Sequence, residues 1–262
     1  MRLFFISILS ITTLFLFSSF AKAKSPLDTS LQKEIKTVLQ NNPELILEAF
    51  KGHEEKLYDL MQVGLEKKNK TKIRNRQKKQ LDNPNIPLSM PNRPLWGNPN
   101  GDISIFAYSD FQSASCSKAN KIIQELLKKD PKINYRYRHN PQGFHKMSRP
   151  AALYYEALAR QDHQKAILFN SLLFANRSKI NKDGLKELDT LVSKAGGNLP
   201  LLHRDIKSVR LFNLVDRDIN EAKKFGFTAS PVFVINGVTI SGAAPLKEFK
   251  EVIQLIRDHM SK

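Results

Sequence analysis

The 262-residue chain is long enough to bury one good core and carry an appendage, and its formal net charge at pH 7 is +17. Such an excess of basic residues bears on partners and solubility and does not indicate a fold. The sequence holds one cysteine and six histidines without ligand-like spacing. This composition excludes an intramolecular disulfide and a Cys-x-x-Cys zinc site, and it predicts no metal and no cofactor.

Residues 1–23 have the pattern of a signal peptide. Arg2 supplies a positive start, Leu3 to Phe20 carry no charge, and Ala21-Lys22-Ala23 fits the small-x-small pattern that signal peptidase cleaves. The apolar stretch is also long enough for an uncleaved membrane anchor, but its serines and threonines and the Ala-x-Ala end favour cleavage. We therefore expect an exported protein that is periplasmic or associated with the cell envelope.

Export limits the anionic partners that this basic protein can meet. An exported protein seldom meets nucleic acid, so we expect no nucleic-acid partner. Anionic lipid headgroups, cell-envelope polymers and acidic client proteins remain as partners, and a generally basic proteome is the alternative explanation of the charge.

Residues 24–80 predict an N-terminal helical region. Asn42-Pro43-Glu44 is typical of a helix start, and apolar residues recur at helical spacing on both sides of it. They are Leu31, Ile35, Val38 and Leu39 in a first helix, and Ile46, Ala49, Phe50, Leu57, Leu60, Met61 and Leu65 in a second. An apolar stripe must be buried, either on the main body or against a second copy of the chain. We expect a homodimer formed through these helices.

Two segments of unusual composition follow. Lys67–Lys79 contains eight basic residues in thirteen and no acid. This pattern indicates either a solvated continuation of the helix or a surface that binds the anionic cell envelope. Residues 81–102 contain five prolines and two glycines, which predicts a linker before a domain at 103–262.

The rest of the chain alternates between strand and helix patterns. The predicted elements are a strand at 103–108, a helix starting near Cys116, a strand at 133–137, a helical block at about 148–225, a hairpin at 232–240 and a helix from Pro245. Asn236-Gly237 places the hairpin turn, because this pair suits a type I′ turn. The order predicts an α/β, thioredoxin-like fold with a helical insertion.

Five motifs occur in an order and spacing that match a known family. They are Asn42-Pro43-Glu44, Gly97–Asp102, Tyr108–Gln112, Ser230–Gly237 and Ile240–Ala243. The chain resembles the DsbA-like periplasmic thiol–disulfide oxidoreductases over most of its length after residue 23. It is most similar to their Com1-like branch, which has an N-terminal helical dimerisation region. The resemblance implies protein thiol–disulfide exchange as the activity of the family.

The resemblance places Ser113 at the first cysteine of the family's Cys-x-x-Cys motif and Cys116 at the second. Exchange requires an exposed thiolate that attacks or leaves through a mixed disulfide, and a helix N-terminus lowers the pKa of such a cysteine. A serine hydroxyl cannot form a stable bond to sulfur or carry the two electrons. The resemblance therefore implies a redox-degenerate protein whose catalytic positions are Ser113, Cys116 and Pro231.

Cys116 and Ser113 can each also have a purely structural role. Cys116 is either a buried small hydrophobe or a reactive thiol that forms a mixed disulfide, a glutathione adduct or a sulfenic acid. Ser113 suits a helix N-cap, and Ser115 competes for that role. A serine hydrolase is not predicted, because no Gly-x-Ser-x-Gly motif surrounds Ser113 and no His/Asp partner is identifiable.

The resemblance also implies a cis peptide bond before Pro231, since thioredoxin-like folds place a cis-proline beside the active-site turn. There the backbone of the preceding residue, here Ser230, pairs with an extended client peptide like an added strand. Phe111, Ser230 and Pro231 are therefore the implied substrate-binding residues, and this surface needs no thiol.

Three functions are open from the sequence. The first, which we favour, is a redox-degenerate DsbA-like protein that binds exported polypeptides. The second is an active thiol–disulfide oxidoreductase that assists disulfide formation or isomerisation through Cys116 and a partner thiol. The third is a structural envelope protein whose basic helix binds anionic surfaces.

Overall fold

The computed structural model describes residues 29–262, so the predicted signal peptide at 1–23 lies outside the described residues. The chain forms two compact units, one ending at Glu66 and one spanning Lys67–Lys262. Within residues 29–262, none of the helices combines the length and the apolar character needed to cross a membrane.

The first unit is helical, as predicted. It contains α1 (Thr29–Asn41), α2 (Glu44–Phe50) and the start of α3 (Glu54–Asp82). The second predicted helix is divided at Gly52, whose φ of 78° lies in the left-handed region that commonly ends a helix. Apolar side chains along these helices remain exposed, including Leu47, Leu60 and Val63.

The basic segment Lys67–Lys79 lies within α3, which confirms the prediction that the helix continues there. Close to the end of α3, Gln77 is buried, and Gln80 Oε1 accepts hydrogen bonds from the Thr239 main-chain N–H and hydroxyl at 3.0 Å each. The last turns of this helix are therefore packed within the second unit, to which residues from Lys67 onward belong. Binding of anionic surfaces by the segment stays a prediction.

The second unit is built on a mixed sheet. Within the described residues its strands are β1 (Trp96–Gly97), β2 (Ile103–Ser109), β3 (Ile133–His139), β4 (Val232–Ile235) and β5 (Val238–Ser241). Their order is β1-β3-β2-β4-β5, and β2 and β3 are parallel while the other pairs are antiparallel. Parallel β2 and β3 require a crossover, which the helix Ala114–Lys129 supplies.

Helices flank this sheet. They are α4 (Ala114–Lys129), α5 (Ser148–Gln161), α6 (His163–Ala175), α7 (Arg177–Asp183), α8 (Leu185–Lys194), α9 (Leu199–Asp205), α10 (Val209–Lys224) and α11 (Leu246–Met260). Those from α5 to α10 form the predicted insertion between β3 and β4. The predicted order of strands, helical insertion, hairpin and final helix is confirmed.

The β4–β5 hairpin turn forms at the predicted Asn236-Gly237 pair, with φ values of 41° and 92°. Asn236 Oδ1 accepts a hydrogen bond from Ser104 N–H at 2.7 Å, which ties the turn to the start of β2. A Cβ atom on Gly237 would lie 2.2 Å from Pro84 Cβ. Gly237 is therefore required by both the turn and the close approach of the segment before β1.

Residues 83–95, inside the predicted linker at 81–102, form no helix or strand but pack on the second unit. Met90 and Arg93 are buried, and Trp96 begins the edge strand β1 with its ring 5.1 Å from that of Tyr135. The segment therefore belongs to the domain, and the division into compact units falls earlier, at Glu66. Proline and glycine content predicted the irregular backbone but could not show that Met90 and Arg93 within it are buried.

A buried network of ion pairs joins this segment to the insertion. The Arg93 guanidinium donates to both carboxylate oxygens of Asp218, at 2.8 and 2.7 Å, and to Glu156. The His139 ring bonds to Glu156 at 2.7 Å, and the His139 main-chain N–H donates to Asp218 at 2.8 Å. All four side chains are more than nine-tenths buried. Because a buried charge is costly without its partners, Arg93 holds this segment against α5 and α10.

Glu156 remains ionised in this network. Burial by itself favours the neutral acid and raises its pKa, but the charge of Arg93 and the hydrogen bond from His139 outweigh burial and lower the pKa from 4.5 to about 2. The carboxylate therefore keeps its charge throughout the ordinary pH range.

A second carboxylate extends the network to the sheet. Glu221 accepts hydrogen bonds from the Leu88 main-chain N–H and the Tyr108 hydroxyl, both at 2.5 Å. Arg138 lies 3.8 Å from Glu221 and 3.6 Å from Asp218. Burial and the bond to Glu221 raise the pKa of Tyr108 well above its usual value. The segment before β1 is thus held at Leu88 and Arg93, and also at Asn85, whose N–H donates to the Gly237 carbonyl at 3.1 Å.

Arg93→Met is expected to lower the free energy of unfolding by about 3–5 kcal/mol, because it leaves Asp218 and Glu156 as unpaired buried charges. Urea denaturation measures the change. Arg149→Met is the control: Arg149 pairs with Asp216 at 2.8 Å, but both side chains are at least 40% exposed, so its loss should be below about 1 kcal/mol. Equal losses in the two variants would contradict this account of the network.

Acid should weaken the protein through Glu156. Since its folded-state pKa is depressed, its contribution of about 3 kcal/mol is present above about pH 4.5 and is lost as the pH falls toward 2. Urea unfolding of the wild type at pH 6, 4 and 3 should show this decline. Glu156→Gln should be less stable at pH 6 and show a flatter pH dependence; parallel declines would assign the acid sensitivity to other groups.

Candidate functional site

The Asp110 carboxylate organises the turn between β2 and α4. It is buried, and it accepts hydrogen bonds from the main-chain N–H groups of Gln112 and Gln142 at 2.8 and 2.9 Å. It also bonds to His145 Nδ1 at 2.8 Å and accepts from the Ser148 hydroxyl. These bonds join the turn to the loop after β3 and to the start of α5. Sequence reasoning missed this role, although an acid directly after a buried strand was a visible signal.

Ser113 is the N-cap of α4. Its φ and ψ are −76° and 129°, and its Oγ accepts a hydrogen bond from the Cys116 N–H at 3.3 Å. This resolves the two candidate caps in favour of Ser113. Ser115 lies two residues further on and is exposed, with its Oγ 2.8 Å from Ser113 Oγ.

Cys116 lies in the hydrophobic core. It is 1% exposed, and its Sγ accepts a weak hydrogen bond from the Asp110 main-chain N–H at 3.4 Å. This is the environment of a structural cysteine, because reactive cysteines lie in partly exposed, electropositive surroundings. The structure therefore favours the buried interpretation over the reactive one.

The peptide bond between Ser230 and Pro231 is cis, which confirms that prediction. Pro231 is buried at the start of β4, and the Ser230 carbonyl oxygen lies 3.4 Å from Ser115 Oγ, a contact at the long end for a hydrogen bond. Asn140 holds the same loop by donating to the Ala229 carbonyl at 3.2 Å. The turn that carries Ser113 and the loop that carries Ser230 are thus brought together.

Phe111 corrects one part of the predicted substrate-binding set. Its ring stacks on Tyr137 with 4.6 Å between centroids and 8° between planes, and it is 1% exposed. It therefore supports the turn from below and does not reach a client. Phe144 is the exposed aromatic residue near the turn: it is 77% exposed, and its ring is 4.3 Å from that of His145, which bonds to Asp110.

The groups gathered here can form noncovalent contacts, but they do not include the base that would activate the Ser113 hydroxyl as a nucleophile. The Ser113 hydroxyl contacts the Cys116 N–H and Ser115, neither of which is a base. In the part of the chain that the structure describes, no group of three or more His, Cys, Asp or Glu side chains could hold a metal ion. What the site offers for contacts is the Ser230 main-chain carbonyl, the Ser113 and Ser115 hydroxyls and the exposed Phe144 ring.

Comparisons with known proteins agree with this architecture. The family model described as Thioredoxin matches residues 89–255. The chain is similar to a thioredoxin-like oxidoreductase from Silicibacter pomeroyi, with 23% identity, a TM-score of 0.57 and coverage of 64% of this chain and 94% of that one. A search of curated proteins gave no match.

Two further solved structures share the fold. Wolbachia pipientis alpha-DsbA1 is 21% identical, with a TM-score of 0.58 and coverage of 66% of this chain and 96% of that one. Proteus mirabilis ScsC in a transitional conformation is 14% identical, with a TM-score of 0.55 and coverage of 88% and 98%. The predicted resemblance to DsbA-like proteins is confirmed, and at these identities it establishes the fold.

Ser113→Ala is expected to lower the free energy of unfolding by about 1 kcal/mol, because the Cys116 N–H at the start of α4 loses its acceptor. Ser115→Ala, which changes an exposed hydroxyl two residues away, should stay within about 0.5 kcal/mol. Urea denaturation of both variants gives the comparison. A larger loss for Ser115→Ala would mean that Ser115 caps the helix.

Proposed function

The chain belongs to the thioredoxin family, and we propose that it is an exported, redox-degenerate DsbA-like protein that binds polypeptide clients. One observation carries the proposal. The side chain at the N-terminus of α4, where the resemblance places the attacking cysteine, is the hydroxyl of Ser113, and it caps the helix. The chain has one cysteine, so it cannot hold an internal dithiol and disulfide couple.

The chemistry of exchange needs what this site lacks. A thiolate must attack a client disulfide, and a second thiol must then displace the client from the mixed disulfide, so that two electrons are transferred. The Ser113 hydroxyl cannot carry out the first step, the attack on a client disulfide. Cys116, as the one thiol, could carry out only one of the two steps. Its side chain is 1% exposed, which shields it from a client disulfide. Burial thus weighs against an oxidoreductase that works through Cys116 and a partner thiol.

Client binding depends on groups that the missing thiol does not affect. The main chain at Ser230 adjoins Ser115 on the α4 side, while Thr228 and Ala229 beside it are exposed. An extended polypeptide can add to such a backbone edge like a further strand, and the exposed Phe144 ring offers an apolar contact near the same turn. Export follows from the signal-peptide pattern at 1–23, which makes periplasmic or envelope polypeptides the client class.

The purified wild type is expected to bind a reduced, carboxymethylated unfolded polypeptide in a fluorescence anisotropy assay and to show no insulin reduction or dithiol oxidation. Cys116→Ala should retain the binding, since the thiol is buried. Ser113→Cys restores both positions of the Cys-x-x-Cys motif and should gain dithiol oxidation. Turnover by the wild type above the uncatalysed rate would overturn redox degeneracy, and absence of polypeptide binding would overturn the client-binding role.

We also propose that the N-terminal helices pair with those of a second copy. Support comes from the apolar side chains that stay exposed on α1–α3, since exposed apolar rows of this size mark contact surfaces. Light scattering should give twice the mass of one chain. Leu60→Glu, at a residue 70% exposed on α3, should reduce it to the monomer mass, whereas the control Ile86→Glu, 74% exposed in the second unit, should not. A monomeric wild type would refute the pairing.

A further inference from the structure

A cavity lined by arginines lies outside the site described above. It has a volume of about 270 Å³ and opens between residues 89–93, α5 and α10. Its arginines are Arg93 from the irregular segment, Arg160 from α5, and Arg210 and Arg217 from α10. Three separate parts of the fold thus direct guanidinium-bearing residues to one small space.

The composition of the lining is not that of a random basic surface. The sequence contains 29 lysines and 13 arginines. Four of those arginines line the cavity, and none of the lysines does. Arginine is the residue suited to planar, bidentate recognition of phosphate or carboxylate, whereas lysine provides a strongly hydrated point charge. Arginine at these positions therefore suits the binding of a planar anion better than lysine would.

The charges around the cavity are incompletely neutralised. Arg93 is paired with Glu156 and Asp218, but its Nε–H has no hydrogen-bond partner in the described part of the chain. Glu156 is the one acid among the described lining residues, and Arg93 and His139 already bond to it.

The other three arginines of the lining are more available than Arg93 for binding a ligand. Arg160 lies 3.4 Å from Asp205, which is not part of the lining. Arg210 and Arg217 are exposed and form no ion pair within residues 29–262. Two guanidinium groups are therefore free to bind an anion from solution.

The other lining residues add an apolar wall. Pro91, Ala159, Leu211 and Leu214 line the cavity beside the arginines. Arg210 and Leu211 belong to the first turn of α10, a 16-residue helix whose N-terminus also favours negative charge. A volume of about 270 Å³ is near the lower end for small-molecule sites.

We propose that this cavity binds a small organic phosphate ester. The phosphate lies against Arg210 and Arg217, with Arg160 near it, and the apolar wall holds the organic group. Guanidinium forks match phosphate oxygens two at a time, and the wall distinguishes an ester from inorganic phosphate. The site does not depend on client binding or on redox chemistry at Ser113 and Cys116.

Isothermal titration calorimetry with phenyl phosphate tests the site in the full chain. We expect saturable binding of one ligand per chain, and binding of inorganic phosphate about tenfold weaker. Arg210→Gln combined with Arg217→Gln should weaken phenyl phosphate binding at least tenfold, and because both residues are exposed the fold is retained. Arg149→Gln, an arginine of α5 outside the lining, is the matched control and should leave the affinity unchanged.

Absence of saturable phenyl phosphate binding, or equal affinity in the wild type and the double variant, would overturn the proposal. Equal binding of inorganic phosphate would overturn the role of the apolar wall. Vesicles of phosphatidylcholine with phosphatidic acid separate two sources of the ester. If the wild type binds these vesicles and the double variant binds them less, the ligand is a lipid headgroup. If the wild type binds phenyl phosphate but not the vesicles, the ligand is a soluble ester. Either result supports binding in the cavity.

Discussion

The buried guanidinium of Arg93 is the constraint on which the second unit depends. It lies in a segment without regular structure, yet it pairs with Glu156 of α5 and Asp218 of α10, and both carboxylates also bond to His139 at the end of β3. An ion removed from water is stable only with all its partners in place. Arg93 therefore ties the irregular segment to the insertion, and His139 ties the same two carboxylates to the sheet.

The turn itself is fixed by a second buried charge, that of Asp110. Its bonds reach the main chain at Gln112 and Gln142 and the side chains of His145 and Ser148. None of them involves the side chain at 113, and the Ser113 hydroxyl separately accepts a hydrogen bond from the Cys116 N–H at the start of α4. The Asp110 bonds therefore hold the turn independently of the side chain at residue 113.

Local sequence patterns predicted those elements that have a single local cause. Asn236-Gly237 gave the hairpin, because few residue pairs accept two positive φ values, and the β-α-β order with its helical insertion was correct. The segment 81–102 was predicted as a linker because proline and glycine report backbone irregularity and not burial. Phe111 was predicted on the client surface because a motif gives the position of a residue and not the direction of its side chain.

The sequence by itself determined that these 262 residues cannot form a disulfide among themselves, because that conclusion needs only the count of thiols. It also determined the order of the elements, since periodicity is a local property. Only the tertiary structure decided that Ser113 and not Ser115 caps α4, that Cys116 is inaccessible, and that four arginines share one cavity. These facts depend on contacts such as that between Arg93 and Asp218, 125 residues apart, which no local pattern encodes.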